Sequence, residues 1–386
     1  MKVFKLIFKN ALRHKLRTSL TIVGIAIAVM AFALLRTVVT AWYSGIEASA
    51  ANRLITRQAV SFIFPLPYAY RDQIAKIPGV DQVTFANWFQ GVYIDKNQFF
   101  ARLAVDAETM FDVYPEFLLD PAEREAFRRE RNSCIIGSEL ASRYKLKIGD
   151  VMNIDGDIYP GKWSFVVRGI YRPRDKATDA TQMFFHWQYL DEQVRESTPP
   201  RAGQVGWYII RIKDPAQAAA VSEQVDALFK NSRAETKTET ERAFQQGFLA
   251  AASSIITAMN FMSFVIIGII MLVVGNTMIM SARERTSEYA VFKTLGFSGG
   301  HLVGLILGES LLISFLGGGL GLLVSFPFVA GFEAVIPKGW FPVFTIEPIT
   351  IILAGSSALV VGLLASLFPI QRALTTKIVD GLRHVG

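Results

Sequence analysis

Between Ala243 and Ala282 the chain runs for 40 residues without a formal charge, and no other feature restricts the fold so tightly. As one helix this run would span about 60 Å, roughly twice the hydrocarbon thickness of a bilayer. Its first part, Ala243–Thr257, is richer in Gln, Ser and Ala and is expected to stand above the membrane as a stalk. The apolar remainder sets the second span near Ala258–Ser281, with outer limits of 251–282. The helix entering that span is therefore expected to continue unbroken for at least ~15 Å beyond the hydrocarbon.

Three further runs can cross a membrane. Residues 18–41 form the first span, 302–328 the third and 349–371 the fourth; the first, at 24 residues, gives about 36 Å of helix. With 51% hydrophobic and 19% charged residues, part of the chain must lie in lipid. The net charge of +7 does not point to nucleic acid, because the basic residues flank apolar segments. Lys2, Lys5, Lys9, Arg13, Lys15 and Arg17 precede the first span with no acid among them. Residues 2–17 also place Phe4, Phe8, Ala11 and Leu12 opposite Lys5, Lys9 and Arg13, as in a helix lying in the interface. The positive-inside rule puts this segment, the loop 283–301 and the tail 372–386 in the cytoplasm, with residues 42–250 on the far side as the periplasmic domain. A secretory signal peptide is excluded by the length of the first apolar run and the three spans that follow.

Residues 42–250 read as an α+β domain. Strand Val60–Phe64, helix Tyr68–Lys76 and strand Gln82–Phe89 make one β-α-β unit, with further strand pieces at Val92–Ile94 and Phe99–Val105. Strand Trp207–Ile212, helix Ala216–Phe229 and a strand near Ala234–Thr238 make a second. Between them, strands at Cys134–Gly137, Val151–Ile154 and Phe165–Ile170 around a helix at Ser138–Tyr144 read as a separate β-rich insert. The single cysteine, Cys134, reads as a small core residue, and the four histidines show no metal-ligand spacing.

No nucleotide-binding loop, catalytic triad, nucleophile elbow, zinc helix or Cys-x-x-Cys pair occurs, so no catalytic residue is assigned and no cofactor is expected on this chain. Gly317 and Gly321, like Ala358 and Gly362, stand one helical turn apart and suit close helix packing, or in the glycine cluster a kink. Glu309 is the one carboxylate inside the third span and requires a polar or basic partner on a neighbouring helix. Arg36, at the far end of the first span, reads as a snorkelling side chain.

The segment Arg283-Glu284-Arg285-Thr286-Ser287-Glu288-Tyr289-Ala290-Val291-Phe292-Lys293-Thr294-Leu295, followed by Gly296-Phe297, resembles the loop between the second and third spans of the FtsX/MacB-like permease family. Glu309 with Leu311-Leu312 and the cluster Gly317–Gly321 is similar to that family's third span. Gly137, Leu140-Ala141, Leu146 and Gly149-Asp150 resemble the MacB-type periplasmic core motif. The resemblance implies a type VII ABC permease without a fused ATPase: two copies, or a related heterodimer, pack through the first two spans and meet separate ATPase subunits that carry ATP and Mg. It also implies an outer domain with a split β-α-β porter-like lobe and a sabre-like insert, in contact with a periplasmic adaptor or lipoprotein. In such a protein the residues facing the ATPase are Arg283, Glu284, Arg285, Glu288, Phe292, Lys293, Leu295 and Gly296. The implied work is export or extraction of a hydrophobic substrate or lipoprotein, or efflux, across the bacterial inner membrane; switching of a cell-wall hydrolase, as in FtsX-like members, is the alternative. The residues themselves support a partner: the loop helix mixes Arg283, Glu284, Arg285, Glu288 and Lys293 with Ala290, Val291, Phe292 and Leu295, and Gly296 stops it.

Overall fold

The computed structural model describes residues 7–8, 11, 13–47, 49–96, 98–251, 253–335 and 343–376. They form two compact units, a helical one built from the spans and an α/β one formed essentially by residues 42–251. The helices Lys15–Glu47, Ser253–Glu284, Gly299–Val335 and Pro348–Thr375 each exceed the sequence-derived spans at one or both ends, and all four are long and apolar enough to cross a membrane. Extra turns at span ends are expected, because polar residues outside the hydrocarbon keep helical hydrogen bonding without cost. The interfacial-helix residues Phe4, Lys5, Lys9 and Leu12, the residues Pro337, Lys338, Gly339 and Pro342 of the short loop 329–348 expected between the third and fourth spans, and the tail residues Lys377 and Arg383 lie outside the described residues. So does Ala252, which separates helix Glu241–Ala251 from the second span, and with it the expected continuity of the stalk.

Inside the helical unit, Ile25, Val29, Phe32, Ile270, Val274, Met278, Ile313, Ala354, Ala358 and Val361 make one apolar core. Small residues set how closely the backbones approach. A Cβ on Gly321 would lie 2.6 Å from the Ala26 carbonyl of the first span, and one on Gly317 would lie 2.7 Å from the Ile25 side chain. A Cβ on Gly362 would meet Ser314 at 2.6 Å, while Ser310 donates to the Gly362 carbonyl at 2.6 Å. Ala358 is buried and sits 2.7 Å from where a Cβ on Gly318 would lie. At Gly317, Gly321 and Gly362, then, a side chain would collide with a neighbouring helix.

In the large domain the strands are β1 (Arg53–Gln58), β2 (Leu66–Pro67), β3 (Val80–Trp88), β4 (Arg102–Val105), β5 (Phe117–Leu118), β6 (Ser133–Gly137), β7 (Val151–Gly156), β8 (Gly161–Pro173), β9 (Met183–His186), β10 (Gln204–Val205), β11 (Trp207–Ile212) and β12 (Thr236–Thr240). Ten of them make one sheet in the order β12-β1-β11-β3-β4-β9-β6-β8-β5, with β7 on β8 as a hairpin. The insert is therefore not a separate sheet. Strand β9 pairs with β4 in parallel and with β6 antiparallel, so it stitches the insert to the β-α-β units. One core runs beneath both parts, from Leu54, Val83 and Ile210 to Cys134, Phe165 and Phe185. Cys134 is fully buried, and burial pushes its thiol pKa well up, away from reactivity.

The first strand is also not where the apolar run suggested. Val60–Phe64 forms a loop, turned where the Gln58 side chain accepts hydrogen bonds from the Val60 and Ser61 amides. The strand lies just before it, in Arg53-Leu54-Ile55-Thr56-Arg57-Gln58, whose polar residues disguise it. Thr56 is buried because it bonds Thr238 across β12, and Arg53 because it meets two carboxylates. The motif around helix Ser138–Tyr144 has a packing cause: a Cβ on Gly137 would lie 1.9 Å from the Ala180 carbonyl, Leu140 is fully buried, and Asp150 accepts from the Lys147 amide.

Candidate functional site

The loop between the second and third spans folds as a helix, Thr286–Thr294, that follows the second span after a break at Arg285. Tyr289 turns inward onto Ala282, Leu302, Ile306 and Ala373 from three spans, and Ala290 beside it is buried. Phe292 packs on the same cluster. Gly296 closes the turn with φ of +83°, a conformation glycine adopts without a Cβ clash, and the Phe297 amide returns to the Phe292 carbonyl.

Charged contacts fix this helix and the residues just before it to the bundle. Arg285 donates to Glu309 at 2.8 Å, with 5% and 10% of the two side chains exposed, and Ser281 adds a longer contact to the same carboxylate. Glu309 thus has the partner its position required. Arg17 forks onto Glu284 with bonds of 2.8 and 2.6 Å, His14 approaches the same carboxylate at 3.5 Å, and Arg13 pairs with Glu288. Lys293 donates to the carbonyls of Leu374 and Thr376, satisfying the open end of the fourth span.

These contacts show what the residues expected to face the ATPase touch within the chain. Arg285 is buried against Glu309 and faces inward; Glu284 and Glu288 are engaged by the chain's own Arg17 and Arg13; Lys293 and Phe292 are used within the bundle. What remains turned outward is Arg283 and a compact apolar tip: Leu295 is 69% exposed, with Val291, Gly296 and Phe297 beside it. Val291 and Phe297 were not in the sequence-derived set. A signal for the charged contacts was nevertheless present, since Arg13 and Arg17 share the four-residue spacing of Glu284 and Glu288.

Elsewhere in the bundle, Arg36 does more than snorkel: it donates to Asn260 of the second span at 3.3 Å. Ile25, a natural choice for probing contacts between copies, is buried against Gly317 within one chain. The open face of the second span carries Phe261, Phe264 and Leu272 instead, with Gly268 and Gly275 meeting nothing within 4 Å and the polar Asn276 exposed among them.

Comparison with known proteins adds to this geometry. Residues 18–228 match the family model of the MacB-like periplasmic core domain, and residues 260–378 that of the FtsX-like permease C-terminal region. An uncharacterized ABC transporter permease of Methanocaldococcus jannaschii is 24% identical over 353 residues, 86% of this chain and 84% of that protein. An uncharacterized ABC transporter permease protein of Mycobacterium tuberculosis is 21% identical over 264 residues, 68% of this chain but only 30% of the relative's length. Among solved structures, the periplasmic region of MacB from Actinobacillus actinomycetemcomitans matches with a TM-score of 0.38 at 12% identity, covering 53% of this chain and 95% of that one. The extracellular domain of the ABC-type transporter YknZ from Gram-positive bacteria matches with a TM-score of 0.36 at 11% identity, covering 49% and 100%.

Proposed function

The chain belongs to the family that joins a MacB-like periplasmic core domain to an FtsX-like permease region, and from that membership we propose that it is the inner-membrane subunit of an ABC machine driven by a separate ATPase. In this reading ATP and its Mg sit on the ATPase, and this chain converts their turnover into movement of the large domain on the periplasmic side. That movement exports or extracts a hydrophobic substrate or lipoprotein, or drives efflux through an adaptor. The observation that carries the reading is the loop helix Thr286–Thr294: it is clamped to three spans and to the residues before the first span, yet leaves an apolar tip unburied. A rigidly held helix with an open tip of Val291, Leu295 and Phe297 suits a partner's apolar groove, and complementary shape at such a tip delivers most of the binding energy.

The same reading places a second copy against the open face of the second span. Glycines without neighbours allow close approach of another helix, and an Asn in hydrocarbon gains a hydrogen-bond partner there. Single cysteines at Gly268 or Leu272, in a chain carrying Cys134→Ser, should cross-link between copies in membranes, whereas one at Ile25 should not. Cross-linking at Ile25 alone would reverse the assignment. The coupling half is tested by co-purifying the ATPase with Leu295→Asp: loss of the partner is expected, and undiminished recovery would remove the tip from the interface.

A further inference from the structure

Within the large domain, three segments that are far apart in sequence converge on one guanidinium. Arg53 opens β1, a few residues after the first-span helix ends at Glu47. Its Nε donates to Glu241 at 2.8 Å, its Nη2 meets Glu116 at 2.7 Å, and its Nη1 reaches the Val113 carbonyl at 3.3 Å. The guanidinium plane also lies over the Tyr114 ring, 4.2 Å from its centroid. Glu241 opens helix Glu241–Ala251, the element that leads back toward the second span, and it accepts in addition from the Ala50 amide and the Tyr114 hydroxyl. The three charged side chains are 5%, 8% and 14% exposed. Burial works against the Arg53 charge, but Glu116 and Glu241 more than offset it and raise its pKa, so the cation is permanent.

We infer that Arg53 is a positioning residue, the centre of a joint that makes the chain's exit from the first span, its return toward the second span and the 113–117 segment move as one body. The inference rests on the mechanical reading proposed above. Its physical basis is that nearly every polar atom of the cluster is engaged in low-dielectric surroundings. Sliding any one segment would strand a buried charge, and the cluster therefore resists deformation far more than an exposed pair would. Arginine is required because only its planar fork serves two carboxylates and a carbonyl at once. A pull on helix Glu241–Ala251 is then delivered together to β1, between the edge strand β12 and β11, and to the loop that leads into β5 on the opposite edge.

The test uses the full chain in lipid nanodiscs with the ATPase that co-purifies from its native membrane. Hydrogen exchange is followed at residues 49–53, 113–117 and 241–251, with and without ATP plus vanadate. In Glu241→Gln, which keeps the side-chain shape, exchange should rise by about tenfold or more in all three segments together. The ATP-dependent change in exchange of the large domain should vanish while ATP turnover persists. Arg53→Lys, which keeps the charge but not the fork, should behave the same way and serves if the first variant folds poorly. A rise confined to 241–251, or an ATP-dependent change that survives in both variants, would overturn the joint. A wild-type protein whose large domain shows no response to ATP would instead overturn the mechanical reading, with the joint itself still decided by whether the three segments loosen together.

Discussion

Two charged clusters of this protein look alike in sequence and differ in physics. The Arg53 cluster joins one base to two acids in the interior of the large domain, where the side chains are 5–14% exposed. The cluster of Arg13, His14 and Arg17 on Glu284 and Glu288 joins similar residues at the end of the helical bundle, where they are 28–54% exposed. Buried pairs lose a great deal when one member is removed, because the survivor is left charged in a poor solvent; exposed pairs lose little, because water and salt replace the partner. The first cluster is thus a fixed joint and the second an adjustable clasp. Arg285–Glu309 shares the burial of the joint, so of the ion pairs that hold the loop between the second and third spans it is the fixed one and those of Glu284 and Glu288 are the ones water competes for.

The sharpest way to break the comparison is Arg53→Met. It leaves Glu116 and Glu241 buried without their cation and should destabilise the large domain by about 3–5 kcal/mol. Thermal unfolding in detergent should fall by about 10 °C; an unchanged midpoint would show that the acids find other partners and that the cluster is no joint. Glu309→Gln comes next. It strands Arg285 at a cost of about 3 kcal/mol, seen as new protease sensitivity in 283–298, whereas Glu309→Gln combined with Arg285→Met should recover much of the loss. A smaller effect is expected from Gly321→Ala, whose added methyl meets the Ala26 carbonyl at 2.6 Å; overpacking of this kind costs about 1–3 kcal/mol and should lower the bundle's unfolding midpoint without touching the large domain. The smallest belongs to the clasp. Glu288→Gln should change stability by less than about 1 kcal/mol, and that difference should shrink further in 0.5 M salt, where the screening length falls to about 4 Å.

How much of this was legible in the sequence follows the same division. Four spans, their order and the position of the loop helix could be read directly, because membrane thickness and helical rise convert apolar length into structure with few alternatives. Strand β11 and helix Ser138–Tyr144 were readable to the residue, since their patterns are local. Strand β1 was not: Arg53 and Thr56 look exposed until Glu241, Glu116 and Thr238, remote in sequence, arrive to satisfy them. The continuity of the ten-stranded sheet was hidden for the same reason, since parallel pairing of β4 with β9 leaves no local mark. At the loop, helix and glycine stop were visible, but the contacts its charges make within the chain were not. Charged residues were assigned to a partner outside the chain, and their partners within it lay about 270 residues away.

The central claim is that the loop helix is fastened by the chain's own charges and offers the ATPase an apolar tip. Co-purification of the ATPase from membranes, measured side by side for Leu295→Asp and for the double variant Glu284→Gln/Glu288→Gln, tests it most directly. Leu295→Asp should lower recovery of the ATPase by at least about tenfold, the equivalent of ~1.4 kcal/mol, while the double variant should keep it within about twofold at ordinary salt. Full recovery with Leu295→Asp and loss with the neutralised acids would contradict it, and would return Glu284 and Glu288 to the interface.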